Sequence, residues 1–287
     1  MQYKVPVGYF AKLFVDWLTT SGEWFFNVLS IVLEAIINVI LVIFQGPFLT
    51  EPSSKMIYAL CVIAVITALS WYFRRSVGSA LFTLFGLLLI VNQGYWKETT
   101  ETLALVLASS VVCMAVGVPL GIAAARRDWV YTIMRPILDL MQTIPTFVYL
   151  IPALILFGLG MVPGLIATVI FAIPAPIRLT RLGIISTPPS LVEAAQSFGA
   201  TPQQVLSKVE LPFAMPQIMA GLTQTIMLSL SMVVISALVG AAGLGVPVVR
   251  ALNTVNIAKG FESGLCIVIL AIILDRLFRF SDAGDGA

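Results

Sequence analysis

The chain has 287 residues, 59% of them hydrophobic and only 10% charged, with a mean hydropathy of +1.03. A soluble domain carries about 25% charged residues, so this composition excludes a water-soluble globule and indicates a helical protein of many membrane spans. Sixteen Lys and Arg against fourteen Asp and Glu give a net charge of +2 with no basic patch for nucleic acid, and the absence of histidine removes His-ligated metal sites and His general bases.

Lys12 and Asp16 interrupt the first twenty residues, and no small-residue cleavage site follows an apolar core, which reads against a cleaved signal. Residues 24–45, "WFFNVLSIVLEAIINVILVIFQ", put Asn27, Ser30, Glu34, Asn38 and Gln45 on one narrow helical stripe. Such a helix either lies in the interface plane or spans with the stripe turned towards other helices, and the interfacial reading is favoured for at least part of it. Apolar runs follow at about 56–73, 77–95, 102–125, 137–159, 161–177 and 213–240, with a shorter one at about 263–277. Each crossing needs roughly 20 residues, so the expected fold is all-α and polytopic with six to eight spans.

From Thr102 onwards Pro119, Pro145, Pro152, Pro163, Pro174 and Pro176 punctuate the runs. Proline is tolerated in spanning helices where neighbours or a cavity re-satisfy the backbone. The chain therefore divides into an N-terminal scaffold (1–97), a working core (98–279) and a C-terminal tail (280–287). Cys61, Cys113 and Cys266 fall inside apolar runs without CxxC spacing and read as small buried hydrophobes.

Lys/Arg bias sets the orientation. With Arg74 and Arg75 cytoplasmic and the spans alternating, Arg126, Arg127, Arg135, Arg178, Arg181, Lys208, Arg276 and Arg279 also fall inside, against Lys55, Lys97, Arg250 and Lys259 outside. Lys4 and Lys12 depend on the first segment. The 178–212 loop accordingly faces the cytoplasm.

Within it, residues 188–212 read "PPSLVEAAQSFGATPQQVLSKVELP". Ser190 and Glu193 form an S-x-x-E capping box, and Gly199 sits where a left-handed C′ residue would end the helix. Thr201 to Gln204 form a second box with Pro202 at the first helical position, opening a helix that ends at Leu211-Pro212. Two capped helices around a glycine turn make a compact knob, and Ala194 and Ala195 give it a small, smooth face suited to a groove. A plain connector with Glu193 as a cap is the competing reading of these residues.

The full spacing, Glu193-Ala194-Ala195, Gly199, Val209 and Leu211-Pro212, resembles the cytoplasmic EAA loop of ABC importer permeases. "RPILDLMQTIPTFVYLIPALILFGLG", "PAPIRLTRLGI", "LPFAMPQIMAGLTQTIMLSLSMVVISALVGAAGLG" and "IVILAIILDRL" look like the glycine betaine/proline betaine permeases, over about 98–278. The resemblance implies a type I ABC importer transmembrane domain in the bacterial inner membrane, importing a quaternary-amine osmoprotectant. It also implies that Glu193, Ala194, Ala195, Gly199, Leu211 and Pro212 couple the chain to cytoplasmic ATP-binding subunits. An extracytoplasmic binding protein and a second permease copy complete the expected assembly.

The sequence contains no Gly-Lys dipeptide and hence no P-loop, so ATP and magnesium belong on a partner chain. No catalytic residue or metal site is expected, and no enzyme activity. The spans 56–73, 77–95, 102–125 and 213–240 carry no charge, which argues against proton coupling, and Asp139 is expected to pair with Arg135 one turn away. Phe147, Tyr149, Phe157 and Phe171 lie in the proline-broken spans and are candidates for brushing a trimethylammonium group, with ordinary packing as the competing reading. In "GAAGLGVPVVR", Gly240, Gly243 and Gly245 are expected to permit a tight re-entrant or external turn near the mouth of the pathway. Two further functions stay open: an ABC permease for another small solute (choline, trimethylamine N-oxide, an amino acid), and an ATP-independent secondary carrier.

Overall fold

The computed structural model describes residues 6–46 and 52–278, and among them every regular element is helical. The tail at 280–287, Arg279 and Lys4 lie outside the described residues. Helix α1 (Val7–Ser21) is followed by α2 (Glu23–Gln45), α3 (Pro52–Arg74), α4 (Val77–Asn92), α5 (Trp96–Arg126), α6 (Asp128–Thr143) and α7 (Thr146–Phe157). Then come α8 (Met161–Ala172), α9 (Pro174–Ile185), α10 (Pro189–Ser197) and α11 (Pro202–Val205). A π turn (Leu206–Glu210) leads into α12 (Leu211–Ser236), followed by α13 (Gly245–Asn253) and α14 (Ile257–Phe278).

Among the described residues, six helical stretches are long and apolar enough to cross a membrane: Glu23–Gln45, Ser54–Arg74, Trp96–Arg126, Met161–Ile185, Pro202–Val239 and Ile257–Phe278. The α6–α7 pair passes the same test as a unit bent by 97°, and α4 is a shorter apolar helix. α4 runs between the two ends: α3 ends where Arg74 Nε donates to the Arg276 carbonyl (2.9 Å), whereas Lys97 and Glu98 of α5 line a groove with Asn256 and Lys259 at the start of α14. With the bent pair counted, seven candidate spans result among the described residues, and eight with α4, within the expected range.

Several expectations change here. Residues 24–45 span rather than lie along the interface. Leu33 and Ile37 of α2 are buried against Ala104, Leu105 and Ala108 of α5 and Leu165 of α8, and Gln45 Nε2 donates to Thr100 Oγ1 (2.8 Å). α2 therefore runs antiparallel along α5. The amphipathic element is α1, whose Tyr9, Phe10, Phe14 and Trp17 are exposed and which Gly22 separates from α2. The run 137–159 is broken, because Pro145 cannot donate its backbone and forces Ile144 into extended geometry. The run 161–177, by contrast, joins with α9 into a 25-residue passage. Arg178 and Arg181 consequently sit in α9, not in a loop. Asp139 pairs with Arg178 (2.6 Å), not Arg135, because α9 brings a guanidinium across to α6.

The centre of the molecule is a stack of α5, α9 and α12. Gly117-x-x-x-Gly121 on α5 allows backbone contact with α9: a Cβ at Gly117 would meet Pro176 Cγ at 2.8 Å, and one at Gly121 the Ile177 carbonyl at 2.7 Å. On the other side of α9, a Cβ at Gly183 would meet Ala214 Cβ of α12 at 2.9 Å. In lipid there is little hydrophobic gain from helix association, so close packing and buried hydroxyls hold the stack. Ser109 Oγ donates to Ser229 Oγ (3.0 Å) between α5 and α12, and Thr168 and Ser236 hydroxyls meet at 3.3 Å between α8 and α12.

Replacing Gly121 by Val forces α5 away from α9 and is expected to cost about 1–3 kcal/mol, as overpacking of a filled interface does. The Gly264→Ala control, whose Cβ meets nothing within 4 Å, leaves stability unchanged. Thermal unfolding of the two variants in detergent checks this.

Candidate functional site

The predicted cytoplasmic and external cations separate to opposite ends of the helices. Arg126, Arg178, Arg181 and Lys208 gather around the end of α5, while Lys97, Arg250 and Lys259 line a groove of about 610 Å³ at the far end. Tyr95 in that groove has its phenol pushed above the ordinary value, first by burial and then by the Glu262 carboxylate. The glycine turn closes the same end. Gly240 is left-handed (φ +86), Gly243 has φ +130, and the Leu244 N–H donates to Thr102 Oγ1 (2.8 Å).

The knob at the arginine-rich end is α10, its turn, α11 and the π turn. α10 begins two residues earlier than the capping box required: Pro189 is its first residue, Pro188 precedes it, and the Ser190 side chain caps nothing. The proline pair pre-sets the backbone here, so the S-x-x-E pattern is not used. Its C-terminus ends as expected. Gly199 has φ +80, its N–H bonds the Gln196 carbonyl (2.9 Å), and the Ala200 N–H bonds the Ala195 carbonyl (3.0 Å), a complete Schellman closure. The second box forms in full, with Thr201 N–H to Gln204 Oε1 at 2.8 Å and Gln204 N–H to Thr201 Oγ1 at 3.4 Å.

The second helix does not stop at Leu211-Pro212. Pro212 lacks an N–H, and the helix passes it by widening to a π turn at Leu206–Glu210 and then continues as α12. Leu211 packs in a cluster with Ile184 of α9 and with Ala214 and Ile218 further along α12, while Pro212 is exposed. Glu193 and Ala194 are exposed, Ala195 is half-buried, and no residue of α10 is buried. The Glu193 carboxylate joins no ion pair among the described residues.

Two features of this end were not anticipated. Phe198 is 94% exposed at the tip of the knob, an apolar ring held in water by the turn that follows it. Arg126 reaches from α5 to Glu210 Oε2 (2.8 Å) and the Pro202 carbonyl (3.1 Å), tying both ends of the α11–π-turn segment to the body. Glu210 lies in the motif's unassigned position between Val209 and Leu211, so spacing alone gave no sign of it.

The four candidate aromatics do not converge. Phe147 is exposed on α7. Tyr149 is buried and donates its hydroxyl to the Met141 (3.1 Å) and Ile144 (3.3 Å) carbonyls freed by the α6–α7 bend. Phe157 packs edge-to-face on Phe26 of α2 (5.6 Å), and Phe171 packs beside Tyr149. No group of three or more metal-ligating side chains occurs among the described residues.

Residues 117–284, more than half the chain, match the family described as binding-protein-dependent transport system inner membrane component. The chain belongs to that family. It is a multi-pass transport subunit and not an enzyme. It is 45% identical to the Bacillus subtilis glycine betaine transport system permease OpuAB over 96% of this chain and 93% of that protein. It is 46% identical to the Listeria monocytogenes glycine betaine/carnitine permease GbuB over 95% of this chain and 94% of the relative. Against the Escherichia coli glycine betaine/proline betaine permease ProW the identity is 44%, over 95% and 74% respectively. Among solved structures, an inward-facing MetNI methionine ABC transporter matches 62% of this chain and 92% of its own, with a TM-score of 0.57 at 24% identity, which shows a shared fold.

Gly199→Asp puts a side chain where φ is positive and costs about 1 kcal/mol locally, since nothing else lies within 4 Å. Glu193→Arg reverses the charge of an exposed side chain that joins no ion pair among the described residues. Both variants are expected to reach the membrane at normal levels and lose most of their transport, measured as uptake against immunoblotted protein.

Proposed function

We propose that this chain is the permease of an ATP-driven importer for glycine betaine or a related quaternary-amine osmolyte. Two copies pair with two cytoplasmic ATP-binding subunits, and an extracytoplasmic binding protein delivers the solute. The observation that carries the energy-coupling part is the knob: a polar helix pair with no buried side chain on α10, its central turn closed on both sides, on the cation-rich end of a membrane protein. A simple connector has no need of a full Schellman closure, a full capping box and an exposed phenylalanine. A socket on an ATP-binding subunit accounts for all three, with Glu193, Ala194, Ala195 and Gly199 presented to it and Leu211 and Pro212 joining it to α12.

The solute class rests on relatives 44–46% identical over at least 95% of this chain, each bearing glycine betaine in its name. An uncharged interior suits that class. The Ser109–Ser229 and Thr168–Ser236 hydroxyl pairs between the packed spans present no fixed charge to a net-neutral zwitterion. In the proposed cycle, ATP-driven closure of the partners draws the two knobs together, and the α5–α9–α12 stack tilts to open outward. Hydrolysis returns it to the inward-facing state. ATP and magnesium stay on the partners, and the chain itself makes and breaks no covalent bond.

Uptake of labelled glycine betaine into vesicles tests this directly, with the ATP-binding subunit, the binding protein or ATP omitted in turn. Uptake should require all of them. Uptake by this chain alone would establish a secondary carrier, and ATPase activity answering only to choline, trimethylamine N-oxide or an amino acid would keep the importer and replace its solute.

A further inference from the structure

We infer that the Arg126–Glu210 pair is a positioning strut, carrying movement of the knob into α5 and so into the transport core. This rests on the docking reading above. Arg126 is the last residue of α5, and a single guanidinium nitrogen, Nη2, reaches both Glu210 Oε2 (2.8 Å) and the Pro202 carbonyl (3.1 Å). Those two acceptors bracket α11 and the π turn, so one side chain clasps the segment at its start and its end.

The clasp lies across the weakest part of the connection. A π turn has poor hydrogen-bond geometry and marks hinges in otherwise regular helices. Here it precedes Pro212 and, four residues further on, Pro216, each removing a backbone donor. α10 itself buries nothing, so force applied to the knob reaches α9 through the three-residue link 186–188, and reaches the rest of the core through this soft turn or through Arg126. The pair is also sheltered: the Glu210 side chain is 14% exposed and that of Arg126 34%, so solvent screens it less than an ordinary surface pair.

Beyond Arg126 the path stiffens. Arg181 of α9 stacks on Tyr131 of α6 (3.6 Å) and donates to the Ala124 carbonyl two residues before Arg126 (3.3 Å). Gly121 then holds α5 against the Ile177 carbonyl of α9, and Gly183 holds α9 against α12. A shift of the α5 end cannot be absorbed at these contacts without moving all three helices. Release of Arg126 would leave the π turn to bend in its place.

The test is made on the full complex in vesicles, with ATP hydrolysis and labelled glycine betaine uptake measured on the same sample. Arg126→Ala and Glu210→Ala should assemble and hydrolyse ATP, while solute moved per ATP falls about fivefold or more, the lower range of an ordinary coupling free energy. The swapped pair, Arg126→Glu with Glu210→Arg, should recover most of that ratio. Arg126→Lys, which keeps the charge but loses the planar fork, should fall between. The strut is refuted if hydrolysis and uptake decline in proportion, or if the ratio stays at its unaltered value in both Arg126→Ala and Arg126→Lys. Absence of ATP-driven uptake in the unaltered complex would instead remove the importer reading, and the strut with it.

Discussion

α9 is held between α5 and α12 with no room for a methyl group at Gly121 or Gly183, and the behaviour of the molecule follows from that fit. Helices in lipid gain little from merely covering apolar surface, so association depends on backbones coming close and on hydroxyls finding partners. Both occur in this stack. The result is a block whose helices move as a unit, since any relative slide meets an atom within about 3 Å. A device at one end of such a block can act at the other without a flexible relay between them.

The periphery is built differently. α3 leaves Ile57, Trp71, Tyr72 and Phe73 exposed, and α1 exposes most of its aromatic face. These surfaces suit lipid and impose little on the core. The α6–α7 bend is intermediate: Pro145 breaks the helix, and the Tyr149 hydroxyl takes up carbonyls the break leaves free, as membrane depth requires. An aromatic singled out as a solute contact is thus accounted for by a backbone repair.

Much of this was legible in the residues. The composition gave the class, the Lys/Arg distribution gave two ends that the structure keeps apart, and Gly199 and the Thr201–Gln204 box gave the knob its turn and its second start. The failures share a cause. Ser190 does not cap because the neighbouring prolines set the helix start first, and Asp139 leaves Arg135 for Arg178 because the better partner is distant in sequence. Residues 24–45 hide a span because the contact with α5 and α8 is made by Leu33 and Ile37, beside the polar stripe, while Asn27, Glu34 and Asn38 of the stripe stay exposed. Arg126–Glu210 is 84 residues apart in sequence. Local spacing reports local structure, and these features are decided by which helix lies alongside.

The central claim is that the knob at 189–211 seats in an ATP-binding subunit. The direct measurement is cross-linking from its tip, in a chain with Cys61, Cys113 and Cys266 replaced and Phe198→Cys introduced. Treatment of membrane vesicles with a short bifunctional thiol reagent should yield a product containing this chain and the ATP-binding subunit, altered in yield by ATP. A thiol at position 198 that forms no such product in assembled, transport-competent vesicles, or that reacts with an impermeant thiol reagent from outside intact cells, would contradict the account.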